Sequence, residues 1–362
     1  MSKKKQKKEK SGLLGRIVRR FFLSLFTIIV LLVVGLALIM NLVFNGPSPA
    51  ARDVLTMSLL EPSATKWIPA LFMDEEIVDQ IRYAGHDEDI QEEQNLDDIV
   101  IMDANTLAAS DEWAAYPDGI RIESYSGKTF NAHIMLIQDP SRVYLGLSSY
   151  DGFSTSKPGK RLNVAIEDEG AAAAINAGAF NDDGTANATV GSVPSGLTIH
   201  DGKVVSNTKN AVFPGGFAGF NYENKLVVSD SMTEAQAMEQ NIRDGCEFGP
   251  VLIVNGVPNQ KVYSGNSGYN PRTVVGQRAD GVVIFVCADG RQAGSLGATY
   301  KDMIDILTAY GAVNACNMDG GSSSIMLYRN YTTGEVEMVN SYSVLQSEPR
   351  RMPNYWMVKP LQ

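Results

Sequence analysis

The sequence is poor in cysteine and histidine, with three residues of each among 362. Three cysteines without a C-x-x-C pair exclude a disulfide-rich scaffold and a zinc ribbon. The histidines His86, His133 and His200 lack the spacing of zinc ligands. The chain also lacks a G-x-S-x-G nucleophile elbow and a G-x-x-x-x-G-K-[ST] phosphate loop, so neither an α/β-hydrolase nor a P-loop nucleotide enzyme is indicated.

Charge is missing from one long stretch, Phe21 to Phe44, and nine lysines and arginines against one acid precede it in residues 1–20. A helix of this length can cross a hydrocarbon core of about 30 Å. The basic run predicts that the N-terminus stays in the cytoplasm and that the rest lies outside the cell. A buried core helix and a signal peptide cleaved near Pro47 to Ala51 are the alternatives. The sequence favours an uncleaved single-pass anchor in the cell membrane.

The rest of the chain, 45–362, carries 22 basic and 40 acidic groups. A chain segment with this net negative charge repels phosphate backbones, and no nucleic-acid partner is expected. Residues 52–85 read as mildly amphipathic helices, which predicts a stalk, a packing helix or a self-association element. The acidic stretch His86 to Asp98 reads as a solvated linker.

From Ile120 onward, short apolar strands alternate with Asp-Gly and Asn-Gly turns. Helices are expected at Leu162–Glu169, Thr233–Arg243 and Thr299–Tyr310. The fold class predicted is α+β, a strand-rich mixed-sheet domain with a few packed helices, preceded by one transmembrane helix. The expected parts are a cytoplasmic tail (1–20), a transmembrane helix (21–44), a helical stalk with acidic linker (45–98) and an extracytoplasmic domain (99–362).

Four polar motifs follow or abut apolar strands. They are Asn176 to Asn181, Asn270-Pro271-Arg272-Thr273, Ala288-Asp289-Gly290-Arg291, and Asn317-Met318-Asp319-Gly320-Gly321-Ser322-Ser323. Loops at strand ends commonly carry binding groups, because the sheet holds them in place. Taken singly, each motif also fits an ordinary turn, and their co-occurrence is the stronger signal.

The residue types within these motifs suit an anion and a carboxylate-driven reaction. Two glycines permit close approach of the backbone, whose amides can form an anion-binding nest. An arginine binds phosphate through two parallel hydrogen bonds. Asp319 is a candidate base, nucleophile or metal ligand. Cys287 and Cys316 lie in apolar strands and are expected to be buried thiols, with a disulfide between them left open.

The order of these motifs resembles the phosphodiester glycosidase family. Gly249-Pro250 between the first two motifs and the Arg-x-x-x-Asn pattern from Arg350 to Asn354 belong to the same resemblance, which covers roughly 120–362. Two positions depart from the family pattern. Gly-Gly-Phe reads Gly178-Ala179-Phe180 here, and Ser322 replaces a glycine, which adds a Cβ to the nest.

The resemblance implies hydrolysis of a sugar-1-phosphate diester of the N-acetylglucosamine-1-phosphate type, in cell-surface or exopolysaccharide glycans. Asp289, Asp319 and Arg272 are the expected catalytic residues. The expected substrate-binding residues are Asn176, Gly178, Phe180, Arg291, Asn317, Gly320, Gly321, Ser322 and Ser323. No cofactor is assigned, and a divalent cation stays open. A noncatalytic polysaccharide-binding or assembly scaffold and a glycan-transferring enzyme are the alternative functions.

Overall fold

The computed structural model describes residues 3–60, 65–83, 94–103, 106, 110–180, 190–209, 215–265, 267–342 and 348–361. Most of the acidic linker and residues 181–189 therefore lie outside the described residues. The described α-helices are α1 (Lys3–Asn45), α2 (Pro49–Leu60), α3 (Glu75–Tyr83), α4 (Leu162–Glu169), α5 (Glu234–Glu239), α6 (Gln260–Ser264) and α7 (Tyr300–Ala309). Short 3-10 turns lie at Pro69–Leu71, Leu96–Asp98, Pro140–Arg142 and Gly321–Ser323.

Helix α1 contains the uncharged stretch. Its segment Arg16–Asn45 has a mean hydropathy of 3.0 over its most apolar window and no buried residue within that window. By length and composition it can cross a membrane, and a signal sequence passes the same test.

The strands are β1 (Ile120–Ser126), β2 (Asn131–Ile137), β3 (Val143–Leu147), β4 (Lys160–Arg161), β5 (Ala173–Asn176), β6 (Leu197–His200), β7 (Lys203–Asn207), β8 (Phe217–Asn221), β9 (Leu226–Ser229), β10 (Ile242–Glu247), β11 (Val251–Val254), β12 (Val257–Pro258), β13 (Arg272–Arg278), β14 (Val283–Ala288), β15 (Ala312–Met318), β16 (Met326–Arg329), β17 (Val336–Met338), β18 (Arg351–Met352) and β19 (Asn354–Val358). Their pairings are antiparallel. A seven-stranded sheet has the order β1-β2-β14-β13-β15-β11-β12, and two five-stranded sheets have the orders β7-β6-β10-β8-β9 and β17-β16-β5-β19-β3. The α+β class with mixed helices and sheets is confirmed.

The seven-stranded sheet is covered on both faces, which explains why its central strands are apolar at nearly every position. One face carries Val275, Phe285 and Cys316 into a core shared with the other two large sheets. The opposite face packs against α7 through Val274 and Ile284. Strand ends of this sheet are therefore fixed from two sides.

Helix α7 begins where the sequence indicates. The Thr299 hydroxyl accepts a hydrogen bond from the backbone N–H of Asp302, and the Asp302 carboxylate accepts one from the Thr299 N–H. This capping box satisfies two amides at the start of the helix. Helix α4 has the predicted bounds. The helix predicted at Thr233–Arg243 was too long. Helix α5 ends at Glu239 because Asn241 adopts φ +53° and starts the turn into β10.

Helices α2 and α3 pack around the end of α1. Phe44, Met73, Val78 and Ile81 form a small apolar cluster, and Phe44 stacks on Phe72 with ring centroids 5.2 Å apart. The prediction of helices in 52–85 is met by α2, the turn at Pro69 and α3. Self-association through this region stays a prediction.

The three cysteines are buried and free. Cys287 pairs with Thr273 across β14 and β13, whereas Cys316 pairs with Val275 on the other side of β13. Because a whole strand separates Cys287 from Cys316, a disulfide between them does not form.

His200 gives the domain a pH-dependent contribution to stability. The Asp244 carboxylate, 3.2 Å from Nδ1, raises the pKa of His200 above its ordinary 6.5, although burial opposes the rise. Stabilisation is therefore fully present below pH 6.5 and is lost as the pH rises through the folded-state pKa.

We therefore expect the free energy of unfolding to fall between mildly acidic and mildly alkaline pH, and to fall less in a His200→Gln variant. Denaturant unfolding of both proteins in the two buffers measures this difference. An equal fall in both proteins would remove His200 as the cause.

Candidate active site

The four motifs meet at one edge of the seven-stranded sheet. The first residue of β13, Arg272, pairs with Ala288 at the end of β14. Thr273 pairs with Met318 at the end of β15. The polar residues after β14 and β15 therefore flank the start of β13, and the end of β5 joins them from another sheet through Asn176.

The side chain of Asn176 joins these segments by hydrogen bonds. Its Oδ1 accepts hydrogen bonds from the hydroxyl of Thr273 at 2.8 Å and the amide of Ile325 at 3.1 Å. Its Nδ2 donates to the carbonyl of Asp319 at 2.5 Å. The side chain is fully buried, so it joins β5, β13 and both ends of the Gly-Ser turn.

Removing the Asn176 amide should destabilise the domain. An Asn176→Ala variant leaves two buried donors and one carbonyl without partners, which should cost about 2–4 kcal/mol of unfolding free energy. Chemical denaturation would measure the loss against Asn207→Ala, which truncates an exposed asparagine that contacts Glu234. Equal stabilities of the two variants would contradict this role.

The Gly-Ser turn lies against two arginines. Gly321 adopts φ +61°, and a Cβ there would lie 3.0 Å from Nη2 of Arg291. Nη1 of Arg350 lies 3.3 Å from Oγ of Ser322 and 3.4 Å from Oγ of Ser323. Glycine therefore allows the close approach of one guanidinium, and the serines contact the other.

The turn also presents backbone donors beside these cations. Within the described residues, the amides of Gly320 and Ser322 donate no hydrogen bond. Both residues are partly exposed. Unengaged amides next to guanidinium groups form a site suited to an anion.

Tyr342 closes one side of the turn. Its hydroxyl donates to the carbonyl of Ser322 at 2.5 Å and accepts from the amide of Arg350 at 3.1 Å. Burial raises the pKa of Tyr342, and the charge of Asp319 adds to this rise. The Asp319 carboxylate, which is partly exposed, therefore lies near enough to Tyr342 for its charge to act on the hydroxyl.

Asp289 contacts Ser341, the residue before Tyr342. Its Oδ1 accepts the amide of Ser341 at 2.9 Å, and its Oδ2 lies 3.7 Å from Nε2 of His133. Only 4% of Asp289 is exposed. Asp289 and Asp319 thus both border the Ser341-Tyr342 segment, but only Asp319 is open to solvent to an appreciable extent.

The Arg272 side chain lies on the face of the seven-stranded sheet opposite to Asp289. Its guanidinium stacks on Tyr300 at 4.0 Å and donates to the carbonyls of Gly268 and Ala298. Asp289, by contrast, faces the side that carries Cys287 and His133. The structure therefore brings Arg291, Arg350 and the Gly-Ser turn together beside Asp319, and it places the Asp289 and Arg272 side chains on opposite faces of the sheet.

The other residues predicted to bind substrate, Gly178, Phe180 and Asn317, lie around the Gly-Ser turn and its arginines. Gly178 donates its amide to Oδ1 of Asn354 at 2.8 Å. The Phe180 ring lies under the Arg350 guanidinium at 4.7 Å. Asn317, 1% exposed, donates to the carbonyls of Gly249 and Met318. Gly178 and Asn317 thus form part of the supporting structure.

Several buried polar atoms around the site have no hydrogen-bond partner. They are Nδ2 of Asn270, Oδ1 of Asn317, Oγ of Ser324 and Nδ2 of Asn354. Buried polar groups in native proteins are nearly always paired, and exceptions concentrate where water or a ligand binds. The region behind the turn is therefore polar enough to hold ordered water.

Metal ligands are not grouped in the described ranges: no three His, Cys, Asp or Glu side chains there come together in an arrangement that could hold an ion. Sequence reasoning gave no role to Tyr342, His133 or Arg350. The Arg-x-x-x-Asn pattern was the available signal for Arg350. Nothing in the local sequence marks Tyr342 or His133.

Comparisons with known proteins agree with this architecture. Residues 169–359, more than half of the chain, match the family model described as phosphodiester glycosidase. The chain therefore belongs to the phosphodiester glycosidase family, which confirms the resemblance read from the motifs. The family indicates a hydrolase of phosphodiester glycosidic linkages.

Two relatives illustrate how far the likeness extends. The catalytic domain of zebrafish N-acetylglucosamine-1-phosphodiester alpha-N-acetylglucosaminidase, auto-inhibited by its pro-peptide, superposes with a TM-score of 0.52 at 19% identity, over 66% of this chain and 82% of that chain. This likeness shows the fold. An uncharacterized protein derived from the SPbeta prophage of Bacillus subtilis, YomE, is 27% identical over 203 residues. The match spans 54% of this chain and 29% of that relative.

Proposed function

We propose that this protein hydrolyses a sugar-1-phosphate diester at the anomeric C–O bond, releasing a free sugar and a phosphate monoester. The observation that carries the proposal is the arrangement of Arg291, Arg350 and the Gly-Ser turn around one partly exposed carboxylate, Asp319. A sugar-1-phosphodiester has both features that this arrangement matches, an anion and an adjacent electrophilic carbon.

The two arginines and the turn amides hold the phosphate. As the C–O bond breaks, its electron pair stays on the phosphate oxygen, and these donors stabilise the charge that develops there. Because a phosphate monoester is a good leaving group, the reaction depends less on a strong general acid than an ordinary glycosidase reaction does. The Phe180 ring offers an apolar surface beside the phosphate.

Asp319 is the reacting carboxylate. It either removes a proton from the water that attacks C1 or attacks C1 itself and is then released by water. Asp289, which is held by the Ser341 amide beside His133, orients the Ser341-Tyr342 segment. Asn176, Asn317 and Arg272 position the motifs instead of touching the sugar.

The apolar segment of α1 anchors the enzyme in the cell membrane by a single span, with residues 1–20 in the cytoplasm and the sheet domain outside. Nine basic groups before the span and none within Phe21 to Phe44 support this orientation. The substrate is then a phosphodiester-linked sugar, of the N-acetylglucosamine-1-phosphate type, in a cell-surface or secreted glycan.

The test is incubation of the full chain in proteoliposomes with N-acetylglucosamine-1-phosphate diesters, followed by assay of free sugar. Release of sugar and phosphate monoester in equal amounts is the expected result. No release from a panel of sugars, with divalent cations added, would contradict the proposal and favour a noncatalytic glycan binder. Transfer of the sugar to an added alcohol, with none released to water, would identify a transferase.

A further inference from the structure

Beyond the span itself, a short exposed apolar patch adjoins its outer end. Within the turn region that precedes α3, Trp67 is 58% exposed and Leu71 is 66% exposed. Lys66 beside them is also exposed. We name Lys66, Trp67 and Leu71 the juxtamembrane patch.

The residue that follows the patch, Phe72, lies against the end of α1. The Phe72 ring stacks on Phe44, and the Phe72 carbonyl accepts a hydrogen bond from Nδ2 of Asn45 at 3.3 Å. Asn45 is the last residue of the helix that carries the proposed span. The patch is thus continuous with the point where that helix would leave the hydrocarbon.

We propose that the juxtamembrane patch lies in the headgroup region of the same bilayer that α1 crosses, an inference that rests on the membrane span in the proposed function. Tryptophan favours this region because its ring is apolar and its N–H is polar. Leu71 adds apolar area, and the Lys66 ammonium extends toward the headgroups.

Charge limits how far this surface extends. Asp74, Glu75 and Glu76 follow at the start of α3 and are exposed. Carboxylates do not enter the apolar layer without a large cost. The contact is therefore shallow, ends before Asp74, and depends on apolar contact more than on anionic lipids.

Helix α2 connects the end of α1 to the active-site edge. Helix α2, of 12 residues, follows the span and is about 18 Å long. In its last turn, Oγ of Ser58 accepts the amide of Tyr269 at 2.9 Å. The next residue, Asn270, accepts a hydrogen bond from Arg291. Membrane contact at Trp67 would thus hold the phosphate-binding arginine near the bilayer, where membrane-attached glycans begin.

Tryptophan fluorescence tests the contact without a label. The chain has three tryptophans, and the other two, Trp113 and Trp356, are 2% and 0% exposed. Brominated phosphatidylcholine quenches only tryptophans that reach the lipid. In proteoliposomes of this lipid the full chain should lose up to about one third of its emission relative to unbrominated vesicles. A Trp67→Phe variant should lose almost none.

The other outcomes show whether the membrane span or the patch assignment is wrong. Protein that washes off the vesicles in alkaline carbonate would contradict the span and this inference together. Integrated protein whose Trp67 is quenched by aqueous acrylamide, but not by brominated lipid, would overturn the inference alone. Trp67 protected from both quenchers would mean that a second copy or another protein covers the patch, which also overturns it. The sugar-release assay on a soluble diester needs no membrane contact and reports on the enzyme separately.

Discussion

Replacing Asp319 by asparagine is expected to lower kcat for sugar release by about 10²–10⁴-fold. Asparagine has nearly the same shape, and the backbone contacts of residue 319 to Ala177 and Asn176 do not involve the side chain. The loss should therefore appear in the chemical step, when activity is measured at a temperature where the variant stays folded. Steady-state kinetics on a sugar-1-phosphodiester measure kcat, and denaturant unfolding measures the free energy of unfolding.

A matched control is Asp305→Asn, which removes an exposed carboxylate on α7 that pairs with Lys301 at 2.6 Å. This variant should keep wild-type kinetics. Full activity in Asp319→Asn would exclude Asp319 as base or nucleophile. If Asp289→Asn then lost activity without losing stability, the reacting carboxylate would be Asp289.

The second large effect is expected at Arg350. An Arg350→Gln variant should lose about 10²–10³-fold in kcat/KM, because it removes a cation that stabilises charge on the departing phosphate. Arg82→Gln, which removes an arginine that pairs with Asp79 on α3, serves as the control. Unchanged kinetics in Arg350→Gln would remove this arginine from the phosphate site.

Replacing Arg272 should lower the stability of the protein and should affect activity less than replacing Arg350 does. Only 3% of Arg272 is exposed, and its guanidinium donates to two carbonyls and stacks on the Tyr300 ring. An Arg272→Gln variant should therefore lose about 2–4 kcal/mol of stability. A smaller effect on activity than that of Arg350→Gln, measured at a temperature where both variants stay folded, would distinguish positioning from phosphate binding.

The sequence predicted the elements whose signals are local. Helix α4 has its predicted bounds because Leu162, Ala165 and Ile166 form one apolar face before Gly170. The meeting of the four motifs at one sheet edge also followed from their positions at strand ends. Strand β10 was missed because Arg243, Asp244 and Glu247 interrupt the apolar pattern of a strand, and the positive φ of Asn241 shows where the helix stops.

The direction of the site side chains could not be read from the sequence. Side chains alternate between the faces of a strand, so the pairing of β13 with β14 decides that Arg272 and Asp289 point to opposite sides. That register depends on residues far apart in the chain. Tyr342 reaches the turn for the same reason, through a fold that only long-range packing defines.

The most direct test of the central claim follows the oxygen of water. The full chain in proteoliposomes would hydrolyse an N-acetylglucosamine-1-phosphate diester in water enriched in heavy oxygen, and mass spectrometry would locate the label at early times. Cleavage at the anomeric carbon predicts the label in the released sugar and none in the phosphate monoester. Label in the phosphate would show attack at phosphorus and contradict a glycosidase mechanism built on Asp319.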